Sequence, residues 1–127
     1  MCTGGENEAM MKGLQSRLGD VVKITCPHGT QIGVITSCSN YAFVDSLGLA
    51  RLTDKVVCTT CGGEGNIITG SNYSFTDSLM NARVGDKEVG TCQFGCKTCN
   101  HTHNGEIVQG SPYKFVGWFN EIKDLFN

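Results

Sequence analysis

Apolar and polar residues alternate over short stretches of this chain, a pattern typical of β-strands. The clearest stretches place a tyrosine two positions before a phenylalanine, and they are Tyr41 and Phe43, Tyr73 and Phe75, and Tyr113 and Phe115. Because successive side chains of a strand point to opposite faces, each pair falls on one face of its strand. We expect that face to be buried.

These strands belong to an internal repeat. The segment at 39–47, Ser-Asn-Tyr-Ala-Phe-Val-Asp-Ser-Leu, recurs 32 positions later as Ser-Asn-Tyr-Ser-Phe-Thr-Asp-Ser-Leu at 71–79. The same offset relates 50–54 to 82–86, and third copies begin at Ser16 and Ser111. A unit of this size cannot bury its apolar face alone, so three units must pack around a common axis. The sequence therefore predicts a mainly β, single-domain body with pseudo-threefold symmetry.

Each repeat also carries an arginine three positions before an aspartate. Because Arg17, Arg51 and Arg83 share this place, we expect them to bond the neighbouring aspartate or the carbonyls of a turn. The Asp-Ser-Leu segments at 45–47 and 77–79 predict turns that lead into the next strand.

Length and composition limit the remaining possibilities. The 127 residues, 17 of them glycine, suit one small domain rich in turns. We divide the chain into a flexible segment at 1–12, the three-repeat domain at 13–116 and a tail at 117–127. Trp118, Ile122, Leu125 and Phe126 have helical spacing in that tail, which predicts a short C-terminal helix. The net charge of −2 argues against nucleic acid as a partner.

The cysteines and histidines follow the repeat. The three segments between a repeat aspartate and the next repeat serine contain all three histidines and seven of the eight cysteines. Residues Met1 to Lys12 lack an apolar stretch of signal-peptide length, so we expect synthesis in a reducing cytosol, where cysteine more often binds metal. Equivalent segments of a pseudo-threefold body lie at one end of it. Thiolate and imidazole ligands together favour tetrahedral zinc, here as a structural clamp.

Several ligand sets are compatible with this pattern. The first choice takes residues in similar places ahead of their strands and adds a chelating Cys-x-x-Cys partner, which gives His28, Cys58, Cys61 and His103. The second choice comprises Cys26, Cys96 and Cys99. Cys96 and Cys99 also form a Cys-x-x-Cys pair, so they join Cys58 and Cys61 in an alternative site of four thiolates.

The repeat elements resemble those of PAAR-repeat proteins. The likeness covers about Gly13 to Val116 and includes the Ala-Arg elements at 49–54 and 81–86, a His-Gly element at His28, and apolar-x-Gly-Ser elements at 68–71 and 108–111. It implies a cone-shaped β-structure with zinc near its apex, held by histidine and cysteine. Cys61 stands where that family often has histidine, and the long third segment leaves room for a second ion.

The resemblance also implies a function. Such proteins are non-enzymatic tips that cap and sharpen the trimeric central spike of a contractile injection machine, either a phage or tailocin baseplate or a type VI secretion system. The implied partner is a trimeric β-helical spike protein, VgrG-like or a phage tail-spike hub, seated at the cone base. The short tail after 116 favours a phage or tailocin tip.

The sequence is also compatible with another class of protein and with another metal. Two Cys-x-x-Cys pairs suggest a zinc-ribbon-like binding module, although 34 residues separate Cys61 from Cys96. His101-Thr102-His103 is similar to the His-x-His iron site of some trimeric phage spike tips, which makes iron the alternative metal.

Overall fold

The computed structural model describes residues 12–26, 29–60, 62–92 and 101–117. In these ranges the chain forms ten strands and no helix. The strands are β1 (Val21–Cys26), β2 (Gly29–Ile35), β3 (Phe43–Val44), β4 (Leu47–Gly48), β5 (Lys55–Cys58), β6 (Glu64–Ile67), β7 (Phe75–Thr76), β8 (Leu79–Met80), β9 (Lys87–Cys92) and β10 (His101–Ile107).

The six longer strands close into an antiparallel barrel in the order β1-β10-β9-β6-β5-β2. Each repeat contributes one hairpin, and the pairing of β1 with β10, which sets Val22 opposite Ile107, closes the ring. Because every neighbour is antiparallel, the strand ends that flank the three connections 27–28, 59–63 and 93–100 all lie at one end of the barrel, here called the apical end. The strands β1, β5 and β9 thus finish together at the end where the sequence predicts the metal.

The opposite end, here called the base, has three corners. Two are the small sheets β3-β4 and β7-β8, and the third is a bridge between Leu14 and Phe115. The third corner thus joins the first and last parts of the described chain. A mainly β, pseudo-threefold body is confirmed, and a cone shape fits this arrangement.

A ring of backbone hydrogen bonds marks the pseudo-threefold axis. The amide of Ala50 donates to the carbonyl of Ser16 (2.9 Å), that of Ala82 to Ala50 (3.0 Å), and that of Ser16 to Ala82 (3.0 Å). The side-chain amide of Gln15 donates to the same three carbonyls at 2.8 to 3.1 Å. This ring ties the repeats together where the base meets the barrel.

The apolar core lies inside the barrel and uses equivalent positions of the three repeats. Ile35, Ile67 and Ile107 each precede their repeat serine by four positions, and each is at most 1% exposed. Val22 and Val56 are fully buried beside them. Since burying one such side chain contributes about 1.5 to 3 kcal/mol, these residues carry much of the fold's hydrophobic stabilisation.

The arginines bond their neighbouring aspartates, as expected. Arg17 grips Asp20 through Nε and Nη2, both at 2.9 Å, and reaches Asp45 of the base corner at 2.7 Å. The hydrogen bond to Asp20 raises the pKa of Arg17 above its ordinary value. Partial burial opposes this shift, and the negative charges of Asp20 and Asp45 add to it. Arg51 repeats this geometry with Asp54 and Asp77, whereas Arg83 donates to the carbonyl of Gly117 at 2.9 Å.

The predicted turns are confirmed. At the tip of the first base corner Asp45 and Ser46 have φ of 54° and 64°, and Asp77 and Ser78 repeat this at 53° and 67°. Two successive left-handed residues are the signature of a tight hairpin turn that matches strand twist.

The expected burial of the Tyr-x-Phe face is wrong. Tyr41 and Tyr113 are each 85% exposed, Tyr73 is 60% exposed, and the three phenylalanines are 56 to 60% exposed. The strands at the base corners are only two residues long, and no second layer of the described residues covers them. The segment 1–11 and the predicted C-terminal helix with Trp118, Ile122, Leu125 and Phe126 lie outside the described residues.

Candidate metal centre

The inward face of the barrel becomes more polar toward the apical end. Along β1 the alternation buries Val22, Ile24 and Cys26, and Cys26 is the last residue before the apical segment. Its thiol lies 3.6 Å from the carbonyl of Gly29, the first residue of β2. Cys26 therefore occupies the inner face at the end where the sequence predicted a metal.

Cys58 is a fully buried thiol at the equivalent end of β5. Its Sγ donates to the side-chain oxygen of Gln31 at 2.8 Å. The backbone of Cys58 is held by two hydrogen bonds, from its amide to the carbonyl of Gly63 and to its carbonyl from the amide of Gly62, each 2.8 Å. Gly62 has φ of +77°, which glycine adopts without strain, so this tight turn fixes the position of Cys58.

His103 is fully buried on β10, directly opposite Gly90 of β9. Its Nε2 lies 2.8 Å from Oε2 of Glu88. Its other ring nitrogen, Nδ1, has no hydrogen-bond partner among the described residues. A buried imidazole with one nitrogen bonded to a carboxylate and the other unbonded has the form of a metal ligand held by an outer group.

Glu88 is also fully buried, and Oε1 of its carboxylate lacks a partner within the described part of the chain. Burial raises the pKa of Glu88, because removing the charged carboxylate from water is unfavourable, while the contact with His103 opposes this shift. The pair is an ion pair only when the imidazole carries two protons.

Four of the predicted ligands lie outside the described residues: His28, Cys61, Cys96 and Cys99. The described ranges alone hold no group of three or more His, Cys, Asp or Glu side chains suited to a metal ion. The choice of ligands therefore stays a prediction. What the described residues supply fits zinc chemistry, since an inward thiol of Cys58 and an unbonded nitrogen of His103 lie on strands that run to the apical end.

Sequence reasoning missed Gln31 and Glu88. The signal for Glu88 was available, because it follows a repeat aspartate by two positions, where the other repeats have Val22 and Val56. A carboxylate in a place that is apolar in two of three repeats indicates a local role. Gln31 occupies the place of His103 in the first repeat, eight positions before the repeat serine, and the same comparison would have identified it.

Nothing in the described ranges resembles a membrane-crossing helix in length and apolar character. A single chain whose three hairpins close into one barrel, with ligand-type side chains at one end, defines a class of pseudo-threefold β-barrel proteins. The match to known families agrees with that class. Residues 27–98, more than half of the chain, match the PAAR motif, so this protein belongs to the PAAR motif family.

Membership confirms the resemblance to PAAR-repeat spike-tip proteins. The family is associated in general with spike proteins of secretion and phage-tail machinery. A comparison with curated proteins found no match.

Proposed function

We propose that this protein is a non-enzymatic tip that seats its base on the blunt end of a trimeric β-helical spike. The observation that carries the proposal is the set of exposed aromatic side chains at the base. It comprises Tyr41, Phe43, Tyr73, Phe75, Tyr113 and Phe115, two at each corner. Large exposed apolar patches mark interaction surfaces, and aromatic residues are enriched in the cores of protein interfaces.

The three corners present these aromatic residues in the same way. At each corner the hydroxyl of the repeat serine accepts a hydrogen bond from the amide of the tyrosine two positions later, at 3.0, 3.0 and 3.1 Å. The serines Ser39, Ser71 and Ser111 are themselves buried. One corner can therefore meet each chain of a symmetric trimer through equivalent contacts, and a partner with threefold symmetry fits this surface better than a monomer or dimer does.

In this proposal the apical end faces outward and zinc holds its three segments together. Cys58 and His103 are the described members of the proposed ligand set, with His28 and Cys61 completing it and Cys26, Cys96 and Cys99 as the second choice. Bound zinc would supply bonds to thiolate and imidazole that cross-link the segments. Such a cross-link suits a tip that is driven through an envelope, because resistance to forced unfolding depends on the unfolding barrier. Iron is the alternative metal.

The machine is proposed to be a phage or tailocin baseplate or a type VI secretion system, with the protein at its spike tip. A zinc-ribbon-like module is less compatible with these observations, because Cys58 belongs to a hairpin of a closed barrel. An enzymatic role finds no support in the pairing of His103 with Glu88, since both side chains are fully buried and out of reach of a substrate.

The test is to measure binding to the trimeric β-helical spike protein encoded in the same gene neighbourhood. We expect one copy of this protein per three spike chains by light scattering after size-exclusion chromatography. Replacing Tyr41, Tyr73 and Tyr113 together by alanine should weaken binding by at least about 100-fold, since each buried tyrosine anchor typically contributes more than 1 kcal/mol.

Ile68→Ala is the matched control, because Ile68 is a half-exposed apolar residue that lines a groove on the barrel with Thr25 and Asn104, outside the Tyr-x-Phe stretches. It should leave binding unchanged, and the melting temperatures of both variants should stay near that of the wild type. A stoichiometry other than one to three, or full binding by the triple tyrosine variant, would refute the proposed docking.

A further inference from the structure

The third repeat departs from the other two at three inward positions. Glu88 stands where the other repeats have Val22 and Val56, and Gly90 stands where they have Ile24 and Cys58. The third departure is His103, since the equivalent positions of the first and second repeats hold Gln31 and Gly63. In the structure these three departures meet, because His103 lies opposite Gly90 and contacts Glu88.

The space for this contact depends on glycine. A methyl group added to Gly90 would lie 2.6 Å from Nε2 of His103, and one added to Gly105 would lie 2.5 Å from Oε1 of Glu88. A methyl group on Gly65 would overlap Oε2 of the same carboxylate. The isoleucine or cysteine that the other repeats have at the position of Gly90 would therefore exclude the imidazole. His103 thus requires glycine at position 90.

A purely apolar packing role does not account for this cluster. Burying a carboxylate in place of valine is unfavourable unless the carboxylate is paired, so Glu88 needs His103. The contact also determines the tautomer of His103. An imidazole that donates its Nε2 proton to a carboxylate keeps a lone pair on Nδ1, and that atom has no partner in the described part of the chain.

We propose that Glu88 is a positioning residue for metal binding, which holds His103 in the tautomer that presents Nδ1 to the ion of the apical end. This inference depends on the proposed zinc and adds the atom through which His103 binds it. A carboxylate that accepts the second ring proton of a ligating histidine fixes the orientation of the ring and makes it a better donor.

The experiment measures zinc affinity by competition with a chromophoric chelator for the wild type, Glu88→Val, Glu88→Gln and Glu106→Gln. Glu88→Val installs the residue of the other two repeats and removes the acceptor, so we expect a loss of 10- to 100-fold. Glu88→Gln keeps an oxygen that can accept the proton and should lose less. Glu106→Gln is the matched control on the same hairpin, because the side chain of Glu106 is partly exposed and bonds Lys87, and this variant should bind zinc as the wild type does.

A second measurement does not depend on any variant. In the zinc-loaded, ¹⁵N-labelled wild-type protein, long-range proton–nitrogen spectra should show the His103 proton on Nε2 and the ion on Nδ1. A proton on Nδ1, or equal affinities for the wild type and Glu88→Val, would overturn the positioning role. A wild type that takes up no zinc would overturn it together with the proposed metal, while the docking of the base on a spike is judged by its own binding experiment.

Discussion

The three repeats are similar at the base of the barrel and different at its apical end. Near the base the three copies keep the same residues at three sets of equivalent positions: isoleucine at 35, 67 and 107, the repeat serine, and the arginine that bonds the aspartate three positions later. At the apical end the copies have diverged. Equivalent inward positions hold Gln31, Gly63 and His103, and the joining segments differ in length.

This difference separates two kinds of constraint. A surface that meets a symmetric trimer is under the same requirement at every corner, so three similar copies suit it. A metal site shared by three repeats would hold one ion, which needs a few ligands of particular chemistry. Any of the repeats can supply any of these ligands. Divergence at the apical end is thus what a shared site built from unequal repeats would require.

Metal removal should have the largest effect and should act on the apical end. If zinc is present at about 1,000 times its dissociation constant, it stabilises the fold by about 4 kcal/mol, so chelation should lower the melting temperature by on the order of 10 °C. Calorimetry with and without chelator measures this change.

Hydrogen exchange then tests where the effect falls. After chelation we expect faster exchange at the amides of Cys58 and Gly62, and little change at the ring amides of Ser16, Ala50 and Ala82. An unchanged melting temperature and unchanged exchange after complete metal removal would contradict the apical clamp.

Much of the fold followed from the internal repeat. The recurrence of 39–47 at 71–79, with third copies at Ser16 and Ser111, indicated three units. Units this small cannot each form a hydrophobic core, so they had to share one. The inward placement of Cys26 and Cys58 could also be anticipated, since alternation along each strand follows from the repeat frame. The contact of Glu88 with His103 could not, because it joins neighbouring strands diagonally and depends on space left by Gly65, Gly90 and Gly105.

Truncation of the core isoleucines should have the next largest effect and should be equal in the three repeats. Ile35→Ala, Ile67→Ala and Ile107→Ala each remove a fully buried side chain, and each should reduce the free energy of unfolding by about 3 kcal/mol. Denaturant unfolding measures the three values, and because the three isoleucines occupy equivalent, equally buried positions we expect these values to agree within about 1 kcal/mol. A single repeat that tolerates the change would show that its isoleucine does not share the common core.

The error about the Tyr-x-Phe face has a physical cause. Period-2 alternation states which side chains share a face, but it does not state what lies against that face. An apolar face is buried in the isolated chain only if a second layer exists, and the described chain provides none at the base. For a protein that docks through this face, the same pattern predicts burial in the complex.

The smallest expected effect concerns the turns of the two hairpin corners. Ser46 and Ser78 both have φ near +65°, a left-handed conformation that costs a residue with a side chain about 1 kcal/mol relative to glycine. Ser46→Gly and Ser78→Gly should therefore each raise the free energy of unfolding by up to about 1 kcal/mol in denaturant unfolding. Ser46→Ala and Ser78→Ala are the matched controls, since alanine keeps the Cβ and should bring no gain. As far as it is described, the third corner is closed by a bridge between Leu14 and Phe115, and its described residues include no pair of left-handed residues with side chains. If glycine stabilised neither hairpin corner, or if alanine stabilised both as well, backbone conformation at these turns would not limit the stability of the base.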